Sequence, residues 1–298
     1  MTATWTVLAS GSGGNASLLE FNHAGLLVDL GLGPRKLDSR LDEVGFRWDG
    51  VRGVLLTHTH SDHWNAASLA RLAERRIAFF CHAEHLRTLQ LGCRKFQDAQ
   101  FAGLVKTYSP GRPFAPLPGV RCRAVELKHD GGPTFGFRIE EDAGAAVPNW
   151  AVGYAADLGS WDRHLPAALA DVDVLALEFN HDVELQLASG RARWLVHRVL
   201  GEFGHLSNDQ AARLFEECVR LSPTNRVRHL IQLHLSGECN RPTLAQAAAR
   251  DVVSRLGLEI ELHTAEQHTP GLTIPLCREA RRPAFRRPVA VPETSRPA

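Results

Sequence analysis

The sequence predicts an α/β fold in which short buried strands alternate with amphipathic helices. Short apolar runs that end in polar residues recur along the chain, as at residues 53–57 and 227–233, and such runs are typical of buried strands. Segments with helical spacing lie between them, such as residues 64–76 and 242–256. Of the 298 residues, 44% are apolar. The chain can therefore bury a sizeable core, and we expect one domain over residues 1–276.

The first elements predict a strand, a tight turn and a hairpin. Residues 4–9 form a short apolar run, and residues 11–16 after it match the dinucleotide fingerprint G-x-G-x-x-G/A. A nucleotide site needs a helix to begin at that point. Residues 17–21 and 26–30 are instead two apolar runs joined by a hairpin signal. We therefore predict a glycine-rich turn that brings backbone close to a site.

The next elements predict helices on the surface. Residues 35–48 alternate charge and hydrophobe at helical spacing, and residues 64–76 do the same. In the second segment Leu69 and Leu72 fall on one face. We expect that face to be buried and the charged face to be exposed.

The later elements predict mostly strands. Residues 108–119 contain four prolines, which restricts them to a loop or an edge strand. Residues 120–127 alternate as a strand does, and residues 150–155 and 172–178 are apolar runs. Residues 259–263 are expected to form the last strand.

The motif with the most possible metal ligands is Thr-His-Thr-His-Ser-Asp-His-Trp at residues 57–64, which contains three histidines and one aspartate. An extended segment leaving a strand can present His58 and His60 to one cation. Asp62 and His63 then turn towards a second cation about 3.5–4 Å away, the spacing of two-metal hydrolytic sites. Imidazole nitrogen with carboxylate oxygen suits zinc first, and manganese or iron second. A solvated, histidine-rich loop is the alternative.

This motif resembles the signature of the metallo-β-lactamase superfamily. The flanking segments resemble its YycJ/WalJ-like branch, which is similar to tRNase Z in motif order. The resemblance runs from residue 10 to about residue 240 and implies an αββα four-layer sandwich, with two related sheets between outer helices. Seven further segments carry it: residues 10–15, 28–31, 129–130, 136–137, 156–159, 204–208 and 233–236.

The resemblance implies two divalent cations, zinc or else manganese, held by seven ligands. The first metal takes His58, His60 and His129, the second takes Asp62, His63 and His234, and Asp157 bridges them. A hydroxide shared by the two metals is then the nucleophile. Asp62 is expected to take part in catalysis as well as in metal binding.

His205 is expected to be the general acid. Residues 207–210 match a capping box that opens a helix through residue 220, and a helix start favours an anion nearby. Other residues are expected to support the ligands or face the substrate, with turn residues as the alternative. These are Asp29, Asn15, Glu178, Asn180, His181 and Ser207.

The GHLSN segment around His205 favours a phosphodiesterase or nuclease. The chain has neither an inserted β-CASP domain nor an obvious long exosite arm, so DNA ends or short oligonucleotides are likelier as substrates than folded tRNA. The alternative is a small-molecule hydrolase on the same fold, such as a cyclic phosphodiesterase, a thioesterase or a lactonase. A catalytically silent metal-binding protein is a third hypothesis.

Composition sets the remaining limits. The net charge of +1 neither demands nor excludes an anionic partner. The six cysteines have no CxxC spacing, which is typical of reduced thiols in a cytoplasmic protein. Neither a signal peptide nor a membrane-spanning run is recognisable, so we expect no membrane partner. Residues 277–298 are rich in arginine and proline and predict a disordered basic tail.

Overall fold

A computed structural model of the chain describes residues 2–144 and 147–276. Two seven-stranded β-sheets pack against each other, and helices cover their outer faces. This confirms the predicted αββα sandwich. The tail predicted at residues 277–298 lies outside the described residues.

The elements of the described residues are numbered in chain order. The strands are β1 (Ala3–Ala9), β2 (Ala16–Phe21), β3 (Ala24–Val28), β4 (Val51–Leu55), β5 (Ala78–His82), β6 (Val105–Tyr108), β7 (Pro113–Leu117), β8 (Val120–Leu127), β9 (Thr134–Glu141), β10 (Ala151–Ala155), β11 (Val174–Glu178), β12 (His229–Leu233), β13 (Glu261–Thr264) and β14 (Ile274–Pro275). The α-helices are α1 (Pro34–Glu43), α2 (Ala66–Arg75), α3 (His85–Gly92), α4 (Phe96–Phe101), α5 (His164–Leu169), α6 (Val183–Leu187), α7 (Arg193–Leu200), α8 (Asn208–Arg220) and α9 (Pro242–Leu256).

The two sheets have the same topology. Their strand orders are β14-β1-β2-β3-β4-β5-β6 and β7-β8-β9-β10-β11-β12-β13. In each order three antiparallel pairings are followed by three parallel ones. The strands β3 and β10 therefore occupy equivalent positions, where each sheet changes from antiparallel to parallel. Sites in α/β proteins commonly form at the carboxyl ends of such strands.

Three apolar layers hold the sandwich together. The layer between the sheets contains Trp5 and Phe137, both fully buried. The outer layers pack α2 on the first sheet, through Leu69 and Leu72, and α8 on the second, through Phe215. Truncating one such leucine to alanine costs about 2–5 kcal/mol. The layers thus fix the strand ends that carry the site.

Most predicted elements agree with the structure, with differences at their ends. The helix predicted at residues 242–256 is α9, while α2 starts later than predicted because the Asn65 side chain caps it by accepting from two backbone N–H groups. The proline-rich segment forms β7, an edge strand. The helix predicted over residues 35–48 ends at Glu43, because Gly45 has a φ of 73° that stops it.

Two further observations concern membrane-spanning helices and the state of the cysteines. Nothing helical in the described ranges has both the length and the apolarity needed to cross a bilayer. The cysteines of the described ranges are free and buried: Cys81, Cys93, Cys122, Cys218 and Cys239. Cys277 lies outside these ranges.

Candidate metal centre

Loops at the ends of four strands bring the seven predicted ligands together. They follow β4, β8, β10 and β12. Two of these ligands, Asp157 after β10 and His234 after β12, have positive backbone φ angles, of 63° and 54°. A non-glycine residue adopts this conformation at a cost, which the surrounding structure must hold in place. Strain of this kind is typical of functional sites.

The first group of possible ligands is three imidazoles, His58, His60 and His129, whose nearest ring nitrogens lie within 4.8 Å of one another. His129 Nε2 is 3.2 Å from His60 Nδ1. His129 Nδ1 donates to the Gly204 carbonyl at 2.9 Å, which turns Nε2 towards the group. Burial and the neighbouring His63 hold the pKa of His58 well below its usual value, and burial also lowers the pKa of His60 and of His129. Neutral imidazole is the form that binds metal.

The second group combines a carboxylate with two imidazoles. Asp62 Oδ2 lies 3.5 Å from His63 Nε2 and 3.3 Å from His234 Nε2. Asp157 touches both of these rings, with Oδ2 2.9 Å from His63 Nε2 and Oδ1 3.3 Å from His234 Nδ1. It also forms a cluster with His58 and His63. Asp157 therefore lies between the two groups.

The electrostatics of the second group favour a bound cation. Burial alone lowers the pKa of His234, but the charge of Asp157 and hydrogen bonds to Asp62 and Glu178 outweigh it and raise the pKa to about 10. Several carboxylates thus surround one buried ring. A positive charge is stabilised there, whether it is a proton or a metal ion.

Asp29 contacts the Nδ1 side of the His63 ring. Its side chain is fully buried, and Oδ2 lies 2.7 Å from His63 Nδ1. Asp29 also accepts from the backbone N–H and the hydroxyl of Thr57, each at 2.9 Å. Thr57 Oγ1 in turn lies 3.0 Å from His58 Nδ1. Thr57 was not assigned a role from the sequence, although it directly precedes His58.

Asn15 and the glycine-rich turn support the same residues. Asn15 Nδ2 lies 3.0 Å from His63 Nε2 and 3.3 Å from Asp62 Oδ2, while its Oδ1 accepts from the Gly11 N–H at 2.8 Å. Glycine is required at Gly31, since a Cβ there would lie 1.9 Å from the Asp62 carbonyl oxygen. The turns before β2 and after β3 therefore press backbone directly against the metal loop.

His205 is held by a buried carboxylate. Its Nδ1 donates to Glu178 Oε1 at 2.7 Å and lies 3.5 Å from Asp157 Oδ1. Burial lowers the pKa of His205, but the charge and hydrogen bond of Glu178 and the charge of Asp157 outweigh it, so the pKa is raised. Glu178 Oε2 accepts from the backbone N–H groups of Leu158 and Leu206 at 3.0 and 3.1 Å. Glu178 is therefore ionised and fixes the ring of His205.

The remaining predicted residues differ in position. Asn180 Nδ2 donates to the His234 carbonyl at 2.8 Å, so it supports a ligand. Ser207 caps α8 and forms a capping box with Gln210, which confirms the predicted box. His181 is buried, and neither ring nitrogen has a hydrogen-bond partner within residues 2–144 and 147–276. Burial lowers the pKa of His181 to about 4.

A cleft of about 460 Å³ opens beside His205 and His234. One of its walls is α7, with Arg198 and the preceding Arg191. Arg198 forms a bidentate ion pair with Asp130, and Asp130 Oδ1 lies 3.6 Å from His129 Nε2. Arg198 was not assigned a role from the sequence, where only the local basic character of this segment was visible. The site thus opens into a cleft with guanidinium groups on its wall.

Comparison with known proteins places this geometry in a family. Residues 26–227 match the model of the beta-lactamase superfamily domain. The chain belongs to this superfamily. The resemblance predicted from the sequence is therefore confirmed.

Relatives within the superfamily are similar over most of the chain. The exodeoxyribonuclease WalJ of Streptococcus pneumoniae serotype 2 is 29% identical over 243 residues, covering 81% of this chain and 84% of that protein. The exodeoxyribonuclease YycJ of Bacillus anthracis is 25% identical over 276 residues, covering 89% and 96%. The structure of the metallo-β-lactamase fold protein YhfI from Bacillus subtilis aligns with a TM-score of 0.64 at 19% identity, covering 92% of this chain and 100% of that one. The superfamily fold thus extends over most of the chain.

Proposed function

We propose that this protein is a metal-dependent phosphodiesterase of the nuclease type, acting on DNA ends or short oligonucleotides. The observation that carries the proposal is the hydrogen bond of 2.7 Å between His205 and the buried Glu178, at the edge of the metal centre. A positioned imidazole that is stabilised in its protonated form can donate to an alkoxide leaving group. The names of the relatives WalJ and YycJ support the same substrate class.

The donor set fits two divalent cations. All seven residues offer imidazole nitrogen or carboxylate oxygen, and His58 Nε2 is buried without a hydrogen-bond partner within the described ranges. Such a donor set suits zinc, with manganese as the second candidate. We assign the first ion to His58, His60 and His129, the second to Asp62, His63 and His234, and the bridge to Asp157. When bound, the two ions would activate water and stabilise negative charge on phosphoryl oxygens.

The side chains around this centre then have distinct tasks. Asp62 would help to hold the second ion, since its Oδ2 faces both His63 and His234, and its carboxylate could also orient the attacking water. His205 Nε2 faces the cleft, because Nδ1 is occupied by Glu178. It donates its proton to the leaving oxygen. Asp29 keeps His63 oriented with its ligand nitrogen towards the centre.

The surface beside the centre suits an extended anionic strand. Arg198 lines the cleft, and Arg193 at the start of α7 is exposed and has no ion-pair partner in the described ranges. Trp194 is 69% exposed and lies one helical turn before Arg198 on the same side of α7. Exposed aromatic rings stack on bases, and arginines bind phosphates. We propose that a single strand follows α7 towards His205.

The proposed substrate can be tested against the small-molecule alternative. The full-length protein, supplied with manganese or zinc, should cleave bis-p-nitrophenyl phosphate and DNA and leave S-lactoylglutathione intact. The Asp157→Ala protein, purified in parallel, controls for contaminating nucleases. Turnover of the thioester without cleavage of either phosphodiester would favour a thioesterase. Strands blocked at the 5′ or 3′ end then show the polarity of digestion.

We also propose that this activity belongs to the cytoplasm. The five cysteines within residues 2–144 and 147–276 are free thiols without disulfide partners, which suits a reducing compartment. Burial raises the pKa of Cys81 to about 12, so this thiol is unreactive. Finding the protein in the cytoplasmic fraction of its cell would support the proposal.

A further inference from the structure

A second cluster of metal-binding side chains lies at the other end of β12. It consists of His229, the first residue of that strand, with Glu261 and His263 on the neighbouring β13. His229 and the ligand His234 are five positions apart, which corresponds to roughly 16 Å along a strand. The cluster is therefore separate from the catalytic centre.

The pairing of the two strands brings these side chains to one face. In the parallel ladder His229 lies opposite Glu261, and Ile231 lies opposite His263. Side chains two positions apart on a strand point to the same face. Both imidazoles and the carboxylate therefore project from the same side of the sheet. The rings of His229 and His263 are 5.4 Å apart between centroids.

The distances between the three donor atoms match a zinc site. His229 Nδ1 is 3.2 Å from His263 Nε2, and Glu261 Oε2 lies 3.5 Å and 3.7 Å from these two nitrogens. Zinc binds nitrogen and carboxylate oxygen at about 2.0–2.2 Å in a tetrahedron. Neighbouring ligand atoms in such a tetrahedron are about 3.3–3.5 Å apart, which follows from these bond lengths. To bind zinc, the three donor atoms would need to move by only a few tenths of an ångström.

Burial and charge also suit a cation. The side chains of His229 and His263 are 17% and 19% exposed, while that of Glu261 is 73% exposed. Burial lowers the pKa of both imidazoles, which favours their neutral, metal-binding form. The exposed side of the cluster leaves room for water as a fourth ligand.

We propose that His229, Glu261 and His263 form a second, structural zinc site that fastens β13 to the sheet. β13 has four residues and, within residues 2–144 and 147–276, pairs only with β12, so its hydrogen bonds open easily. An ion held by both strands stabilises the closed state. The chain after β13 leads to Gln267, which accepts from the Gly13 N–H at 2.6 Å and donates to the Gly14 carbonyl at 2.8 Å. The site thus also fastens the segment that supports the glycine-rich turn.

Zinc stoichiometry tests this proposal. The full-length protein is stripped with a chelator, refilled with zinc, desalted and measured by inductively coupled plasma mass spectrometry. His263→Gln should hold one zinc ion fewer per chain than the parent. The matched control is His23→Gln, an exposed imidazole that lies 3.8 Å from Glu20 but has no second histidine beside it. It should hold as much zinc as the parent.

The comparison does not depend on the proposed function. If the catalytic centre held no metal, the parent and His263→Gln would still differ by one ion. Equal zinc contents in the two proteins would show that His229 and His263 form only a hydrogen bond. In that case the proposal is wrong.

A second measurement covers the case in which His263→Gln does not fold. Glu261→Gln alters an exposed side chain and should fold, but because it removes one of three ligands its zinc affinity at this site should fall below that of the parent. Zinc at 100 times its Kd should slow hydrogen exchange of the β13 amides by about 100-fold in the parent. The effect should be much smaller in Glu261→Gln. Equal zinc-dependent protection in both proteins would overturn the proposal.

Discussion

Asp29 and Asp157 contact opposite nitrogens of the same imidazole. Asp29 Oδ2 is 2.7 Å from His63 Nδ1, and Asp157 Oδ2 is 2.9 Å from His63 Nε2. Both aspartates lie just after equivalent strands of the two sheets, β3 and β10, and both have positive φ, 65° and 63°. Equivalent strands of the two sheets therefore place one carboxylate on each side of the His63 ring, and we propose that Asp29 orients the ring while Asp157 is a ligand.

This difference in task predicts unequal losses on substitution. Asp157→Ala should abolish measurable activity, because a bridging carboxylate holds both cations. Asp29→Ala should lower metal affinity or activity by about 10–100-fold, the usual effect of a group that only orients a ligand. Turnover at saturating metal, together with metal content, separates weak binding from lost chemistry. Equal losses would mean that the two roles are misassigned.

The sequence predicts the fold and the converging ligands because both depend on local patterns. Apolar runs give the strands and the motif at residues 57–64 gives four of the proposed ligands, while His129, Asp157 and His234 follow from the family resemblance. The positive φ angle of Asp157 and the close approach at Gly31 follow the same motifs. The motifs themselves are local, although the close approach at Gly31 is to Asp62 in a distant segment.

Other features depend on contacts between distant residues. The pairing of Arg198 with Asp130 spans 68 positions, and that of His229 with His263 spans 34. Neither pair can be predicted from one segment of the sequence alone. The resemblance implied two related sheets, but no repeat was visible in the sequence, because the pairing pattern repeats while the sequence of the strands does not. The short β6 and α4 lacked enough periodicity to be assigned, whereas a helix was expected around His85 and Arg87 and is α3.

The metal centre predicts a loss of metal in ligand variants. The double variant His58→Ala/His60→Ala removes two of three donors of the first group and should lower the metal content by at least one ion per chain relative to the parent. Metal analysis after reconstitution measures this. The control is His164→Ala, an exposed histidine at the start of α5. Unchanged metal content in the double variant would contradict a binuclear centre.

Glu140 predicts a pH-dependent contribution to stability far from the centre. It is buried and accepts from Arg121 Nε at 2.9 Å and from Arg138 Nε at 2.7 Å. Burial raises its pKa, but the two guanidinium groups outweigh this and hold the pKa below its usual 4.5. A carboxyl group with a lowered folded-state pKa stabilises the fold above the unfolded value, and this stabilisation is lost as the pH falls through the folded value.

Glu140→Gln should therefore lower the free energy of unfolding by about 1–3 kcal/mol at pH 7, the usual contribution of hydrogen bonds to a charged group. The difference from the parent should shrink as the pH falls below 4.5. Urea unfolding across this range measures it. Glu184→Gln, an exposed substitution on α6, should show little difference at any pH. A difference for Glu140→Gln that is independent of pH would exclude the proposed charge pairing.

The proposed strand path predicts a specific role for Trp194. Its exposed ring on α7 should stack on a base, and such stacking contributes about 1–3 kcal/mol per base. Trp194→Ala should therefore weaken binding of a single-stranded oligonucleotide by roughly 5–150-fold, measured by fluorescence anisotropy. Turnover of bis-p-nitrophenyl phosphate should not change. The control is Phe101→Ala, which removes an aromatic ring that is 89% exposed on α4. Equal affinities for Trp194→Ala and the parent would place the strand elsewhere.

His205 tests the phosphodiester chemistry itself, because it is not among the seven proposed ligands. If its Nε2 donates to the leaving oxygen, His205→Ala should lower kcat on DNA by roughly 10²–10⁴, with metal content unchanged. The loss should be far smaller on bis-p-nitrophenyl phosphate, since p-nitrophenolate leaves without a proton. A variant that cleaves DNA at the parental rate, or that loses metal, would show that His205 is structural or a ligand.

The hydrogen bond from His205 to Glu178 adds a sharper form of this test. Glu178→Gln keeps the size of the side chain but removes the charge that stabilises protonated His205. Because Glu178 Oε1 also lies 3.4 Å from His234 Nδ1, metal content must be measured alongside, and with metal content unchanged the effect should pass through His205. The double variant His205→Ala/Glu178→Gln should have the same kcat on DNA as His205→Ala alone, because residues that act as one unit are not additive. A further drop in the double variant, with metal content unchanged, would mean that Glu178 acts on the substrate or the centre by a route of its own.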